Sequence, residues 1–288
     1  MSEVARRITV VTSVWGAYVR YLPDFIAPLE PAMRTGVRLI CVDNASTTPL
    51  PKLPAGVEVI KLDERIGSGA AANRGLREVT TDLVCFADVD DVLIPASWAR
   101  LVQILDESEE AVAICGRPIL WDPGANSLLD YSIIPDEAPR LAPAQLARAL
   151  VLKNMFPVAG CLVRTEAAQA VGGYAEIPPP LDDWPFSLSL AWHGHVLFSE
   201  IPSFYYRIHR DSQLGGTSRR SIRRGRLAAY RELRRRLRCL PAVPLWLRLA
   251  TWPLAVVHWR RSIARQKHRV GPDTASVLDD PWLTPPGR

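Results

Sequence analysis

The chain predicts an α/β fold: a mainly parallel sheet flanked by helices, followed by a basic helical extension. Three observations carry that expectation. β-Branched apolar runs alternate with helical stretches at the spacing of strand–helix–strand crossovers. Polar clusters stand just past the C-terminal ends of those runs, where open α/β sheets bind ligands. Charge is also segregated. Between Arg207 and Val270, 18 Lys and Arg stand against two acids, Asp211 and Glu232, so that segment carries about +16 of a net +5 and the remainder about −11.

Ile8 to Val14 is a β-branched run ending at Trp15-Gly16, a strong strand signal. A helical stretch over roughly Tyr18 to Ala32 leads to a second strand, Val37 to Val42, which ends in the turn formers Asp43-Asn44-Ala45-Ser46-Thr47. Val57 to Leu62 reads as a third strand, and Gly67-Ser68-Gly69 opens a small-residue helix over Ala70 to Glu78. Leu83 to Phe86 is a short apolar run of the kind that forms a buried strand. A helix after Pro95, a strand at Ala111 to Leu120 and a loop-rich stretch to about Pro143 follow. Leu181-Asp182-Asp183-Trp184 opens a helix that is apolar at Phe186, Leu188, Leu190 and Trp192 and stops at His193-Gly194. Two units are expected: a catalytic body over 1–217 and a basic amphipathic tail over 218–288.

At 288 residues and 48% hydrophobic, the chain is long enough for one large α/β domain plus an appendage. Its start shows no signal-peptide pattern, and the five scattered cysteines read as unpaired buried thiols, so a cytoplasmic chain without disulfides or zinc is expected.

The chemistry concentrates in Phe86-Ala87-Asp88-Val89-Asp90-Asp91. A strand running into Asp-x-Asp-Asp delivers carboxylates to the sheet rim. Charges this close repel unless a cation lies among them, and a hard divalent ion, Mg²⁺ or Mn²⁺ bridging to a diphosphate, suits oxygen ligands. An isolated Asp-x-Asp is more often a helix cap with solvated neighbours, so the remaining motifs decide.

Those motifs resemble the inverting glycosyltransferases of family 2, with the GT-A fold, over about residues 8 to 212. VDNAST (42–47) is similar to the family's Val-Asp-Asp/Asn-Gly-Ser-Thr. GSGAAANRGL (67–76) resembles its Gly-x-x-x-Ala-Arg-Asn-x-Gly helix start, and FADVDDVLIP (86–95) its Leu-Asp-x-Asp-Asp followed by Pro. FPVAGCLVRTEAAQAVGGY (156–174) resembles the acceptor-side segment, LDDWPFSLSLAWHG (181–194) the Glu-Asp helix, and YRIHRDS (206–212) the closing Tyr-Arg-x-His-x-x-Ser. Ser13, Trp15 and Gly16 depart from the usual Pro, Tyr and Asn, Ala72 replaces a frequent Arg, and Asp182 replaces Glu. These departures bear on donor identity more than on activity.

The resemblance implies a nucleotide-diphosphate sugar donor and a hydroxyl-bearing acceptor, from an envelope glycan, a lipid-linked saccharide or a secondary metabolite. Ser13 and Trp15 would flank the base, and Asp43 or Asn44 would bond its edge. Gly67, Asn73 and Arg74 (or Arg65) would serve the phosphates from a helix start, which favours anions. Asp90 would ligate the metal, Asp88 the ribose or the metal, and Asp91 would orient the sugar or cap a helix. His209, with Arg207, would close over the diphosphate, His209 as a late metal ligand. Asp183 would be the base that takes the acceptor's proton, with Asp182 left as the cap of its own helix.

The alternatives are a sugar-nucleotidyltransferase, which needs a glycine-rich loop after the first strand that Trp15-Gly16-Ala17 does not supply, and a non-catalytic surface-binding protein. The tail places Trp246, Trp252 and Trp259 among leucines, with arginines alongside. It reads as a peripheral anchor on anionic membrane at the inner face of a bacterial-type cytoplasmic membrane, or as helices packed on the body. No nucleic-acid motif accompanies its charge.

Overall fold

The structure is a computed structural model and describes residues 2–125, 127–129, 134–179, 181–209 and 219–240. Among them nine strands form one sheet: β1 (Ile8–Val14), β2 (Arg38–Asp43), β3 (Val57–Lys61), β4 (Leu83–Phe86), β5 (Val92–Leu93), β6 (Ala111–Asp122), β7 (Ser127–Leu129), β8 (Leu162–Arg164) and β9 (His195–Arg207). The order is β3-β2-β1-β4-β8-β6-β9-β5, with β7 pairing β6. The helices are α1 (Ser2–Arg6), α2 (Leu22–Ile26), α3 (Glu30–Thr35), α4 (Ser68–Leu76), α5 (Trp98–Asp106), α6 (Pro143–Leu150), α7 (Thr165–Ala170), α8 (Trp184–His193) and α9 (Arg219–Cys239).

β3, β2, β1 and β4 are mutually parallel, with Val14 opposite Asp43 and Val11 opposite Phe86. Their C-terminal ends therefore share one edge, and the segments after Val14, Asp43 and Phe86 emerge together. Beyond β4 the sheet is mixed: β8 is antiparallel to β4 and β6, β9 runs parallel to β6 through register shifts, and β5 is antiparallel to β9. That brings the end of β9 back beside the loop between β4 and β5.

Both faces are covered, and the strands alternate accordingly. Val10, Leu39, Cys41, Leu83 and Cys85 pack with Leu22, Phe25, Leu29, Trp98 and Leu101 of the α2, α3 and α5 side. Val11, Ile40, Val42, Val84 and Phe86 pack with Ala71, Leu146, Phe186 and Leu188 on the other side. The expected helical stretch over 18–32 is divided into a 3₁₀ turn, Gly16–Tyr21, then α2 and α3. Pro23, Pro28 and Pro31 account for the breaks, since each lacks a backbone donor and crowds the preceding turn.

The expectation of five unpaired cysteines is corrected. Cys115 on β6 and Cys161 at the start of β8 form a disulfide, their Cα atoms 4.4 Å apart although 46 residues separate them in sequence. The antiparallel pairing of β6 and β8 brings them together, which scattered sequence positions do not reveal. Cys41 and Cys85 are buried thiols pushed up to about 12 by burial, and Cys239 is exposed.

The first helix of the basic segment packs on the body. Ala229, Leu233 and Leu237 of α9 lie in the same core as α8, and Tyr230 meets Trp184 edge-on at 5.1 Å. Trp246, Trp252 and Trp259 lie outside the described residues.

α4 crosses β1 closely because Gly75 has no side chain; a Cβ there would run into the Val11 side chain, itself 1% exposed. Gly75→Ala should lower unfolding stability by about 1–3 kcal/mol through overpacking, despite alanine's better helix propensity. In thermal or urea unfolding, Gly75→Ala/Val11→Ala should lose less than the two single losses together. Simple additivity would contradict the close crossing.

Candidate active site

The loop after β4 alternates strongly in exposure. Asp88 is exposed, Asp90 keeps 15% of its side-chain surface, and Asp91 is 3% exposed. Asp91 Oδ1 accepts the backbone N–H of Arg207 at 3.0 Å, which ties the end of β9 to this loop. Burial, then Asp90 and Asp88, hold Asp91 well above the usual carboxylate range, and Arg207 pulls it partly back. Asp90 Oδ2 lies 2.8 Å from His209 Nε2, and His209 Nδ1 lies 3.2 Å from the Tyr21 hydroxyl.

Arg207 does not reach outward as the sequence implied. Its Nε donates to the Asp90 backbone carbonyl at 2.7 Å and its Nη2 to Asp24 at 2.9 Å, while the guanidinium packs against the Tyr21 and Trp121 rings. Its side chain is 7% exposed. Those contacts fix the metal-candidate loop and leave the guanidinium committed to the frame.

Asp182 and Asp183 stand across this loop at the start of α8. The sequence made Asp182 the cap of its own helix, but the structure gives it to α4. The Ser68 hydroxyl donates to Asp182 Oδ2 at 2.5 Å, and the Gly69 backbone N–H also bonds this carboxylate. Gly67, at the N-cap of α4, offers no side chain, so Asp182 supplies the anion that the helix start attracts. A Cβ on Gly69 would meet Ala175, Tyr174 and Asp182, so glycine permits this approach.

Asp183 is the N-cap residue of α8 but makes no side-chain cap bond. Its Oδ2 accepts from Asn154 Nδ2 at 3.0 Å instead. Burial, then the neighbouring Asp182, push Asp183 up to about 7, against the pull of Asn154 and local backbone N–H groups. Although its side chain opens to solvent, Asp88 is raised by the bulk of protein around the cleft, then by Asp90, Asp182 and Asp183. The two carboxylate groups therefore sense each other across one cleft.

On the first-strand side, Ser13 is half-buried at the end of β1 and Trp15 follows it, also half-buried. The Arg65 guanidinium lies 3.5 Å over the Trp15 ring, and Tyr18 stacks with Trp15 at 5.4 Å. Asp43 accepts the Ser46 backbone N–H at 2.9 Å, so its carboxylate holds the turn that follows β2. Asn44 uses both ends of its amide on the backbone of Ile66, each at 2.9 Å, and so braces the 62–67 loop rather than presenting an edge to a base. Asn73 likewise faces inward, donating to the Tyr174 carbonyl and to Glu176 and accepting the Tyr174 N–H. Arg74 is half-buried on α4.

Sequence reasoning missed Tyr18, Tyr21, Asp24, Ser68 and Asn154. Trp15-x-x-Tyr18-x-x-Tyr21 carried a readable signal: a three-residue period, which a 3₁₀ turn places on one face. The turn leads from Trp15 to His209 through Tyr18 and Tyr21. The other three act through partners remote in sequence.

Among the described residues, no group of three or more His, Cys, Asp or Glu side chains is assembled around a metal position. The Asp90–His209 pair nevertheless fits one in chemistry. A carboxylate oxygen stands beside an imidazole nitrogen, and Tyr21 engages the ring's other nitrogen, as the outer partner of a ligating histidine does.

Known proteins agree with this architecture. Residues 10–163 match the family description "Glycosyl transferase family 2". A stretch of 87 residues, 30% of this chain and 32% of the relative, is 28% identical to an uncharacterized glycosyltransferase of Haemophilus influenzae. The match thus spans about a third of that relative's length. The crystal structure of S. aureus TarS 1–349 in complex with UDP-GlcNAc aligns with a TM-score of 0.64 at 12% identity, over 90% of this chain and 73% of that one. The mannosyltransferase PcManGT from Pyrobaculum calidifontis, in complex with GDP-Man and Mn²⁺, aligns at 0.54 and 16% identity, over 90% and 75%. The mixed sheet with its helices on both faces is the GT-A arrangement, and the chain belongs to glycosyl transferase family 2.

Proposed function

We propose that the protein transfers a sugar from a nucleotide-diphosphate donor to a hydroxyl acceptor, with inversion at the anomeric carbon and with Mg²⁺ or Mn²⁺ serving the diphosphate. The observation that carries this reading is geometric: Asp183, held by Asn154 at the start of α8, lies within electrostatic reach of Asp88, beside the Asp90–His209 pair. The UDP-GlcNAc and GDP-Man of the structural neighbours support a nucleotide-sugar donor.

In this reading, Asp183 accepts the acceptor hydroxyl's proton as that oxygen attacks the anomeric carbon. The new C–O bond forms on one face while the bond to the diphosphate oxygen breaks on the other, its electrons leaving with the diphosphate. Asn154 holds the Asp183 carboxylate in place. Asp90 and His209 would hold the cation, with Asp88 beside them, and the cation would neutralise charge on the departing diphosphate. Trp15, with Ser13 and Asp43, lines the end of the crevice suited to the base, and Arg65, Arg74 and Gly67 lie along the α4 side. The glycine-poor 3₁₀ turn after β1 offers no cradle for a nucleotidyltransferase triphosphate.

The α9 surface supports an anionic membrane partner. Arg224, Arg231, Arg235 and Arg238 are exposed on the side away from the core, and a cavity of about 370 Å³ is lined by Arg231, Arg234, Arg235 and Arg238. Among the described residues, no helix is long and apolar enough to cross a membrane.

Asp183→Asn keeps the shape but accepts no proton, so kcat should fall by at least ~10²-fold with donor Kd within a few-fold. In the wild type, kcat should rise with pH through about 7, because only the ionised base works and Asp183 ionises there. Steady-state rates across pH with a panel of nucleotide sugars test both. A mutant that keeps its turnover, or a plateau already reached at pH 5, would remove Asp183 from the chemistry.

Replacing Arg224, Arg231 and Arg238 together by Gln in the full chain should weaken co-sedimentation with phosphatidylglycerol vesicles, at roughly 1 kcal/mol per residue at low salt. Unchanged sedimentation, or none for the wild type, would detach this face from membranes. Truncation at 217 is unsuitable because it strips α9 from the core.

A further inference from the structure

The Arg236 guanidinium is buried, with 8% of its side chain exposed, in a helix where Arg224, Arg231, Arg235 and Arg238 are exposed. Burying a guanidinium costs several kcal/mol unless its donors are satisfied, and here they are. Nε donates to Glu232 one turn back at 3.0 Å. Nη1 reaches the Val171 carbonyl at 3.2 Å, the Ser189 hydroxyl at 3.1 Å and the Pro185 carbonyl at 3.5 Å. Nη2 reaches the Gly173 carbonyl at 3.0 Å. Ala229, Leu233 and Leu237 already attach α9 by apolar burial, so docking the helix does not require this charge.

The partners are informative. Val171 and Gly173 belong to the turn that ends α7, where Gly172 and Gly173 take φ +77° and +60° and leave carbonyls without helical partners. The next two residues hold the cleft together. The Tyr174 N–H bonds Asn73 on α4, and the Ala175 N–H bonds the Asp182 carbonyl. Pro185 and Ser189 lie in the first turns of α8, directly after Asp183. The guanidinium therefore bridges two supports of the Asp182–Asp183 pair, the turn behind it and the helix ahead of it.

We propose that Arg236 is a positioning residue of the transfer site: from α9 it locks the Val171–Gly173 turn to the start of α8 and so fixes Asp183 within the cleft. The helix that opens the basic tail is then a working part of the catalytic body. Lysine cannot replace the fork, since one nitrogen cannot serve the Val171 and Pro185 carbonyls, the Gly173 carbonyl and Glu232 at once.

The kinetic arm rests on the glycosyltransferase reading; the exchange arm does not. Arg236→Lys and Arg236→Met in the full chain should keep donor Kd within a few-fold, while kcat per folded molecule falls, on the order of 10-fold for Lys and up to ~10²-fold for Met, as for a displaced catalytic group. By hydrogen–deuterium exchange, the Tyr174 and Ala175 amides should lose protection while β1 and β4 keep theirs. If Met prevents folding, the Lys variant decides. Folded variants with wild-type kcat and wild-type protection at Tyr174 and Ala175 would overturn the proposal, leaving Arg236 a helix anchor only. A wild type that turns over none of the nucleotide sugars would instead overturn the transferase reading, and the exchange comparison would still decide Arg236.

Discussion

The crowding of carboxylates at one edge of the sheet is the constraint that the rest of the structure answers. Asp88, Asp90, Asp91, Asp182 and Asp183 converge where three parallel strands end, and like charges this close oppose folding. The chain settles each differently. Asp91 receives a backbone N–H from β9, Asp90 faces His209, and Asp182 lies on the start of α4 with the Ser68 hydroxyl. Asp183 has the Asn154 amide but remains raised, and Asp88 stays open to solvent. In the proposed transfer, the groups left unneutralised would supply carboxylates for a cation and one base for the acceptor's proton.

The supports of these groups come from distant parts of the chain. Arg207 at the end of β9 pins the Asp90 loop and reaches Asp24 on α2, so the mixed half of the sheet is what orients the parallel half's carboxylates. α8 presents Asp183, α4 receives Asp182, and α9 braces both through the turn at Gly173. The same arrangement explains why several polar residues that looked like ligand contacts turn inward. Asn44 ties the end of β2 to the 62–67 loop and Asn73 ties α4 to the segment at Tyr174, and their amides are spent within the protein.

The parallel half of the fold was legible because its strands carry unbroken apolar runs and its loops carry turn formers at the C-terminal ends. β1 and β4 appear with their predicted bounds. The helical character of 18–32 was legible, but its division into three short elements at the prolines was not. The Cys115–Cys161 pairing and α9's inclusion in the core were not legible, since both depend on which surfaces meet across the sheet order. In the site, the motif carboxylates could be named from the sequence, but their partners could not. Asp182 serving another helix and Arg207 facing inward are consequences of packing, and side-chain direction is not written in the local sequence.

The most direct test of this account is calorimetric titration of UDP and GDP, with and without Mn²⁺, into the wild type and Asp90→Ala. Mn²⁺ should tighten nucleotide diphosphate binding in the wild type, and this dependence should disappear in the variant, with its unfolding transition retained. Wild-type affinity that ignores the cation, or a variant that responds to it as the wild type does, would contradict it.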